Sequence, residues 1–235
     1  MDPDDLDMDV LLPAKEATAY RRAAARINYM TLDRIDLAFA SKETARGMAI
    51  PKNGDVVNLK RTLRYLKGTP DFAFYFEFQD FPNIVQGYSD SDWAGCKRTR
   101  RSTSGGVLML GTHTVHHFSS TQATVALSSA EVELNSAVKC TSELLGLQQM
   151  MLDLNLHLKA ELSIDSSAAK GILQRRGAGR VKHLEVKQLW TQELVMNKKI
   201  KILKVPRLEN PSDCLTHHWT VKDAIPHFER MRVGI

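Results

Sequence analysis

The chain has 235 residues, of which 43% are hydrophobic, and its formal net charge is +5. This length allows one substantial core or two small ones, and no apolar run approaches the roughly 20 residues that span a bilayer. The acidic N-terminus lacks the basic and apolar regions of a signal peptide. We therefore expect an intracellular protein, cytoplasmic or nuclear, without a membrane partner.

The first 80 residues have a predominantly helical pattern. Residues 14–48 and 58–67 are predicted helices, and the second helix is stopped by a Gly-Thr-Pro sequence at 68–70. Residues 72–78 form an aromatic run typical of a strand. The Asp-Phe-Pro-Asn sequence at 80–83 reads as a loop, so we predict a domain boundary there, with domains at 1–80 and 81–220 and a C-terminal tail at 221–235.

The second predicted domain begins with strands and continues with alternating helices and strands. The predicted strands are 84–90, 105–110, 114–119, 161–165 and 199–205, and the predicted helices are 129–154, 167–174, 184–196 and a short one from 211. An antiparallel meander followed by helix and strand units predicts an α/β fold, with a mixed sheet and helices on its faces.

Two aspartates stand at the ends of predicted strands. Asp90 ends the first strand in GYSDSDWAG (87–95), and Asp165 ends a later strand in LSID (162–165). Side chains alternate along a strand, so Leu162 and Ile164 face one side and Asp165 faces the other. Sites in open α/β sheets gather beyond the carboxyl ends of strands, so both acids are candidates for chemistry.

The long predicted helix offers two glutamates. Ser128 and Glu131 have the spacing of a capping box. Helical spacing from Glu133 leads to Ala137, Cys140 and Leu144, an apolar face that should lie on the sheet. Residues two apart on a helix point in nearly opposite directions. We therefore predict that Glu131 caps the helix and that Glu133 points toward the strand ends.

The fourth candidate acid is Asp213, in ENPSDCL (209–215). Asn210 can cap a helix that begins at Pro211, and the helix dipole would favour an ionised Asp213 in the first turn. The alternative is that Asp213 only stabilises this helix end. Clustered carboxylates repel each other and usually bind hard divalent cations, and two Mg²⁺ ions at such a cluster can support phosphodiester cleavage.

Basic residues are concentrated in two regions, which suits a polyanionic partner, although a solvated basic face is the alternative. The first region holds Lys97, Arg98, Arg100 and Arg101, and the second runs from Lys170 to Arg207. A zinc site at the histidines 113, 116, 117, 217 and 218 is disfavoured, because adjacent residues on a strand point apart. His217 lies four residues after Asp213, where a role in proton transfer and a plain surface position are both open.

The three cysteines, Cys96, Cys140 and Cys214, form no CxxC pair, which argues against a disulfide framework.

Six motifs in register resemble the ribonuclease H region of copia-type retrotransposon Pol polyproteins. They are GYSDSDWAG (87–95), RSTSGG (101–106), LSSAEVEL (127–134), DSSAA (165–169), VKH (181–183) and NPSDCLT (210–216). Upstream, residues 33–39 (DRIDLAF) and 61–69 (RTLRYLKGT) resemble the segment that joins reverse transcriptase to that domain.

The resemblance implies a ribonuclease-H-like mixed five-stranded sheet with flanking helices, preceded by a small, mainly helical connection segment at 1–80. It implies Mg²⁺-dependent endonucleolytic hydrolysis of the RNA strand of RNA–DNA hybrids, with two Mg²⁺ ions and Mn²⁺ as an alternative. The reverse transcriptase domain of the same element is a further implied partner. The implied catalytic and metal-binding residues are Asp90, Glu133, Asp165 and Asp213. The implied substrate-binding residues are Arg100, Arg101, Ser102, Arg180, Lys182 and His183.

The chain departs from the family pattern at several positions. Cys96 replaces an Asp, the 117–122 stretch (HFSSTQ) lacks two lysines, and His217 replaces a Lys. The 205–209 stretch (VPRLE) has no histidine before the last acid, where cellular ribonucleases H often carry one. A non-catalytic nucleic-acid-binding remnant is therefore the alternative to an active enzyme. A DNA-processing enzyme of the integrase type is disfavoured, because the set of four acids includes one early on a helix.

Overall fold

The computed structural model describes residues 7–96, 98–177 and 186–234. The chain divides into two compact units, Met1–Ala73 with Gly234–Ile235, and Phe74–Val233. The boundary predicted at residue 80 lies within the second unit. Among the described residues, no helix combines the length and the apolar character that a membrane crossing requires.

In its described residues, the first unit contains three α-helices. These are α1 (Ala14–Met30), α2 (Ala38–Arg46), which follows a 3₁₀ turn at Ile35–Leu37, and α3 (Asn53–Gly68). Helix α1 buries Tyr20, Ala24 and Ile27, which share one face by helical spacing and form a core with Leu59 of α3. Helix α3 begins before the predicted residue 58, because the carboxylate of Asp55 accepts a hydrogen bond from the Lys52 N–H at 2.9 Å and caps an earlier turn.

The aromatic run at 72–78 is mostly not a strand, so that prediction is wrong beyond its first residues. Only β1 (Ala73–Phe74) is a strand, and it pairs with β7 (Val233–Gly234). Phe76 and Phe78 are 63% and 97% exposed. Aromatic residues favour strands through packing on neighbouring strands, and the described residues supply no further strand beside 75–78.

The second unit contains a mixed five-stranded sheet. Its strands are β2 (Ile84–Asp92), β3 (Thr103–Leu110), β4 (His113–Thr121), β5 (Lys159–Ile164) and β6 (Ile200–Lys204). Their order is β4-β3-β2-β5-β6. The first three are antiparallel neighbours, while β5 is parallel to both β2 and β6. The sheet therefore places β2 at its centre, between the meander and the parallel pair.

The helices of this unit are α4 (Ser129–Asp153), α5 (Ser167–Gln174), α6 (Val186–Met196) and α7 (Val221–Arg230), with 3₁₀ turns at Arg207–Glu209 and Pro211–Leu215. Helix α4 packs on β2 over a core that includes Leu108, Leu144 and Leu162. Gly87 allows this close approach, since a Cβ there would lie 3.2 Å from the Cys140 sulfur. The predicted mixed five-stranded sheet with flanking helices is confirmed.

The described part of the predicted C-terminal tail contains helix α7 and strand β7. Helix α7 packs on the 3₁₀ turn Pro211–Leu215. The imidazole of His227 is 2% exposed and lies 3.0 Å from the carbonyl oxygen of Asn210. This contact ties the C-terminal helix to the segment that carries Asp213.

Candidate metal centre

Two adjacent parallel strands bring Asp90 and Asp165 together. Ser89 of β2 pairs with Ile164 of β5 in the parallel register, so Asp90 and Asp165 are the next residues along each strand. Asp90 is 3% exposed, and its carboxylate accepts a hydrogen bond from the Thr216 hydroxyl at 2.8 Å. The predicted position at neighbouring strand ends is therefore the observed one.

Helix α4 adds Glu133 to this pair. The helix is tied to β2 by the hydroxyl of Ser136, which donates to the main-chain oxygen of Asp90 at 2.6 Å. Glu131 turns away and accepts a hydrogen bond from the Leu127 N–H at 2.9 Å, while the Ser128 hydroxyl accepts from the Glu131 N–H at 3.3 Å. The prediction that Glu131 caps the helix is confirmed, and Glu133 is the glutamate that reaches the strand ends.

Asp90, Glu133 and Asp165 form a compact group of carboxylates. One oxygen from each lies within 4.8 Å of the others. The Oε2 atom of Glu133 is buried and has no hydrogen-bond partner among the described residues. A buried carboxylate oxygen without a donor, beside two further carboxylates, matches the ligands that a hard divalent cation takes. The three residues therefore fit a metal ion.

The electrostatics of the group point the same way. Burial, together with the nearby charge of Asp165, raises the pKa of Glu133 from 4.5 to about 8. Burial and the neighbouring acids, Glu133 first among them, raise the pKa of Asp90 well above its usual range. Burial also raises the pKa of Asp165, although the Lys204 ammonium opposes this. A bound cation would offset both the burial and the mutual repulsion that raise these pKa values.

Asp213 is buried beside the group but differs from the other three acids. Its side chain is 2% exposed, and it pairs with Arg207, whose Nε lies 3.2 Å from Asp213 Oδ2. The turn that carries Asp213 is held against β2 by the Asn210 amide, which donates to the Ser89 carbonyl at 2.9 Å. Asp213 is outside the group whose oxygens meet within 4.8 Å. The structure therefore brings three of the predicted acids together and gives the fourth an arginine partner.

The carboxylates line an open cleft with several residues that the sequence interpretation did not assign to it. These are Ser91, Asp92, Trp93 and Arg207. His217 also lines the cleft, and its Nδ1 lies 3.9 Å from Asp213 Oδ1. Burial lowers the pKa of His217, although the charge of Asp213 opposes this. A signal for Asp92 and Trp93 was present in the GYSDSDWAG motif, whereas nothing local in the sequence linked Arg207 to Asp213.

The predicted substrate-binding residues fall into three groups. Arg100 and Arg101 are exposed on the connection between β2 and β3. Ser102 is 1% exposed, and its hydroxyl accepts a hydrogen bond from the Ala94 N–H at 2.9 Å. This hydrogen bond helps to hold the connection between β2 and β3, and the substrate-binding role of Ser102 stays a prediction. The remaining predicted residues, Arg180, Lys182 and His183, lie outside the described residues.

Comparisons with known proteins find relatives over most of the chain. No protein-family model matches it. The chain is 31% identical over 200 residues to the retrovirus-related Pol polyprotein from transposon TNT 1-94 of Nicotiana tabacum, covering 84% of this chain and 15% of that protein. It is 28% identical over 223 residues to the Pol polyprotein from transposon RE2 of Arabidopsis thaliana, covering 94% of this chain and 15% of that protein.

Among solved structures, LC11 ribonuclease H1, isolated from compost by a metagenomic approach, matches with a TM-score of 0.42 and 16% identity. The match covers 57% of this chain and 93% of that one. Of the two Pol polyproteins described above, the chain spans about 15% of the length. The relatives of this chain are therefore retrovirus-related Pol polyproteins of transposons, the family whose motifs it was predicted to resemble.

Proposed function

We propose that the chain is a ribonuclease H that cleaves the RNA strand of RNA–DNA hybrids endonucleolytically with Mg²⁺. The observation that carries this proposal is the meeting of Asp90, Glu133 and Asp165 within 4.8 Å at the carboxyl ends of β2 and β5. Two Mg²⁺ ions, with Mn²⁺ as an alternative, would activate a water and stabilise the leaving oxygen. An intracellular location, cytoplasmic or nuclear, goes with this proposal.

The chain's own residues would prepare the site before substrate arrives. Asp90, Glu133 and Asp165 hold the cation as carboxylates, with Asp213 as a fourth acidic partner. The Thr216 hydroxyl orients Asp90 through its 2.8 Å hydrogen bond, and Ser136 holds α4 against β2. The rigid strand and helix positions keep these ligands in place without substrate.

Substrate contacts would come from the exposed arginines on the connection between β2 and β3. Arg100 and Arg101 follow the cleft residues Asp92 and Trp93 along the chain, and guanidinium groups bind phosphate oxygens in a bidentate manner. Arg180, Lys182 and His183 belong to the same proposal through their motif. Contacts to the 2′-hydroxyl would select RNA over DNA. The reverse transcriptase domain of the same polyprotein is the proposed protein partner.

A cleavage assay tests the proposal. The protein is incubated with an RNA–DNA hybrid labelled on the RNA strand, with Mg²⁺ or with EDTA, beside Asp165→Asn and beside DNA and RNA duplexes of the same sequence. We expect Mg²⁺-dependent internal cleavage of the hybrid alone, with 5′-phosphate ends, and loss of cleavage in the variant. Equal and negligible cleavage by both proteins, while both still bind the hybrid, would refute the proposed ribonuclease H activity.

That result would support the second candidate, a non-catalytic nucleic-acid-binding remnant. The pairing of Asp213 with Arg207 favours this candidate, because the arginine engages an acid that catalysis would need. Binding alone would be strongly salt-dependent under either candidate, since phosphate contacts release counterions. The cleavage assay therefore decides between them, and a binding assay does not.

A further inference from the structure

Arg207 grips both carboxylate oxygens of Asp213. Its Nε donates to Oδ2 at 3.2 Å, and one terminal nitrogen donates to Oδ1 at 3.3 Å. The side chain of Asp213 is 2% exposed and that of Arg207 is 66% exposed. A buried acid is thus neutralised by a cation that sits mainly in solvent.

Arg207 belongs to the segment that follows β6, and its side chain lines the cleft. It begins the 3₁₀ turn Arg207–Glu209, shortly after β6 ends at Lys204. The Lys204 ammonium donates to the main-chain oxygen of Asp165, and Arg207 lines the cleft with Asp90, Glu133 and Asp165. One short segment therefore places two cations against the carboxylates.

The carboxylates are compensated unequally as a result. Asp213 has a guanidinium on both oxygens, whereas the carboxylate of Asp90 accepts from the neutral Thr216 hydroxyl. The Oε2 atom of Glu133 has no partner among the described residues. Among the described residues, a first cation entering at Asp90, Glu133 and Asp165 meets carboxylates without a hydrogen-bonded guanidinium, although the charges of Lys204 and Arg207 lie nearby. A second cation that uses Asp213 meets oxygens that already accept hydrogen bonds from Arg207.

We propose that Arg207 is an internal counter-ion that a second divalent cation must displace from Asp213, so that the two cation positions fill in order. This inference rests on the proposed metal-dependent function. The guanidinium lowers the affinity of the second position in two ways, by occupying the oxygens of Asp213 and by repelling the incoming charge. Displacement is feasible because the released side chain is already largely solvated, and because the cation replaces its charge beside the buried acid.

Calorimetric titration of the full chain with Mg²⁺ alone tests the order of filling. The variants are Arg207→Gln, Arg207→Lys and Lys201→Gln. Lys201 lies on β6, pairs with Glu161 at 2.9 Å and does not line the cleft. Lys201→Gln therefore controls for the loss of a positive charge. For the wild type we expect two binding events, the second weaker. Arg207→Gln should tighten the second about tenfold and change the first less than threefold, with Arg207→Lys intermediate and Lys201→Gln unchanged.

A second measurement separates this role from a purely structural one. Without Arg207, the buried Asp213 has no countercharge, so Arg207→Gln should melt at a lower temperature than the wild type in EDTA. Saturating Mg²⁺ should remove that difference, because the second cation takes over the neutralisation. Asp213→Asn should abolish the second binding event and make the Arg207 substitution silent, as expected for directly coupled residues.

Three results would overturn the inference. These are equal tightening of both events in Arg207→Gln, no change in the second event, and a melting difference that persists in saturating Mg²⁺. If the wild type binds two cations normally under any of these results, the proposed function survives and only the role of Arg207 fails. If the wild type binds no cation in a manner sensitive to Asp90→Asn, both proposals fail.

Discussion

Replacing Glu133 by glutamine should stabilise the metal-free protein at neutral and alkaline pH. Burial and the charge of Asp165 raise the pKa of Glu133 from 4.5 to about 8, so the folded state holds this proton more tightly than the unfolded chain does. The unfolded chain releases the proton near its ordinary pKa and the folded protein only near pH 8. Stability is therefore lost as the pH rises between these two values and changes no further above them.

The magnitude follows from the size of that shift. At about 1.4 kcal/mol per pKa unit, the raised pKa of Glu133 lowers the free energy of unfolding, relative to acidic pH, by about 3 kcal/mol at pH 7 and by about 5 kcal/mol at pH 9. Glutamine has nearly the same size and does not ionise. Its amide must still find hydrogen-bond partners in a buried place, which offsets about 1–2 kcal/mol. A net gain of about 2 kcal/mol at pH 7 corresponds to a rise in melting temperature of about 4–8 °C for a unit of this size.

Thermal unfolding followed by circular dichroism in EDTA, between pH 5 and pH 9, measures the effect. The matched control is Glu131→Gln on the same helix, since Glu131 bonds the Leu127 N–H outside the cluster. The advantage of Glu133→Gln over the wild type should grow with pH, and Glu131→Gln should show no such growth. With Mg²⁺ added, the wild type should gain more stability than Glu133→Gln, which lacks a ligand. Parallel pH profiles for the wild type and Glu133→Gln would refute the reasoning.

Three further changes probe the site. Asp90→Asn should reduce Mg²⁺-dependent hybrid cleavage roughly 10³-fold or more with an unchanged circular dichroism spectrum, and residual activity near the wild-type rate would contradict its role. Gly105→Ala should cost about 1–3 kcal/mol in urea unfolding and weaken Mg²⁺ binding, because a Cβ there lies 2.8 Å from the Ser212 carbonyl oxygen and would push the Asp213 turn away. Ser136→Ala removes the buried 2.6 Å donor to the Asp90 carbonyl and should lower the free energy of unfolding by about 1–2 kcal/mol; unaltered urea midpoints would contradict either stability prediction.

Much of the candidate site was predictable because it depends on local periodicity. Strand alternation placed Asp165 opposite its apolar neighbours, and helical spacing separated Glu133 from the capping residue Glu131. The hydrogen bonds of Glu131 and Ser128 bear out that separation. Each of these arguments needs only the few residues on either side of the acid concerned.

Other features needed information that no local window contains. The aromatic run at 72–78 has strand propensity, yet only Ala73–Phe74 is a strand, because propensity is realised only where a neighbouring strand is available. Ser102 lies in a motif that suggested substrate binding, and only the structure shows that its hydroxyl accepts a hydrogen bond from the Ala94 N–H. Arg207 appeared as one member of a basic region, and its partner became visible only in three dimensions.

The sequence by itself determined which face of each helix and strand an acid occupies, since side-chain direction repeats every 3.6 or 2 residues. Only the tertiary structure decided which acids meet. The parallel pairing of β2 with β5 brings Asp90 beside Asp165, and packing of the Pro211–Leu215 turn on the sheet lets Thr216 reach Asp90. The same packing leaves Asp213 with Arg207. These contacts join residues far apart in the chain, and they form only when burial of the shared core offsets the entropy of closing the intervening loops.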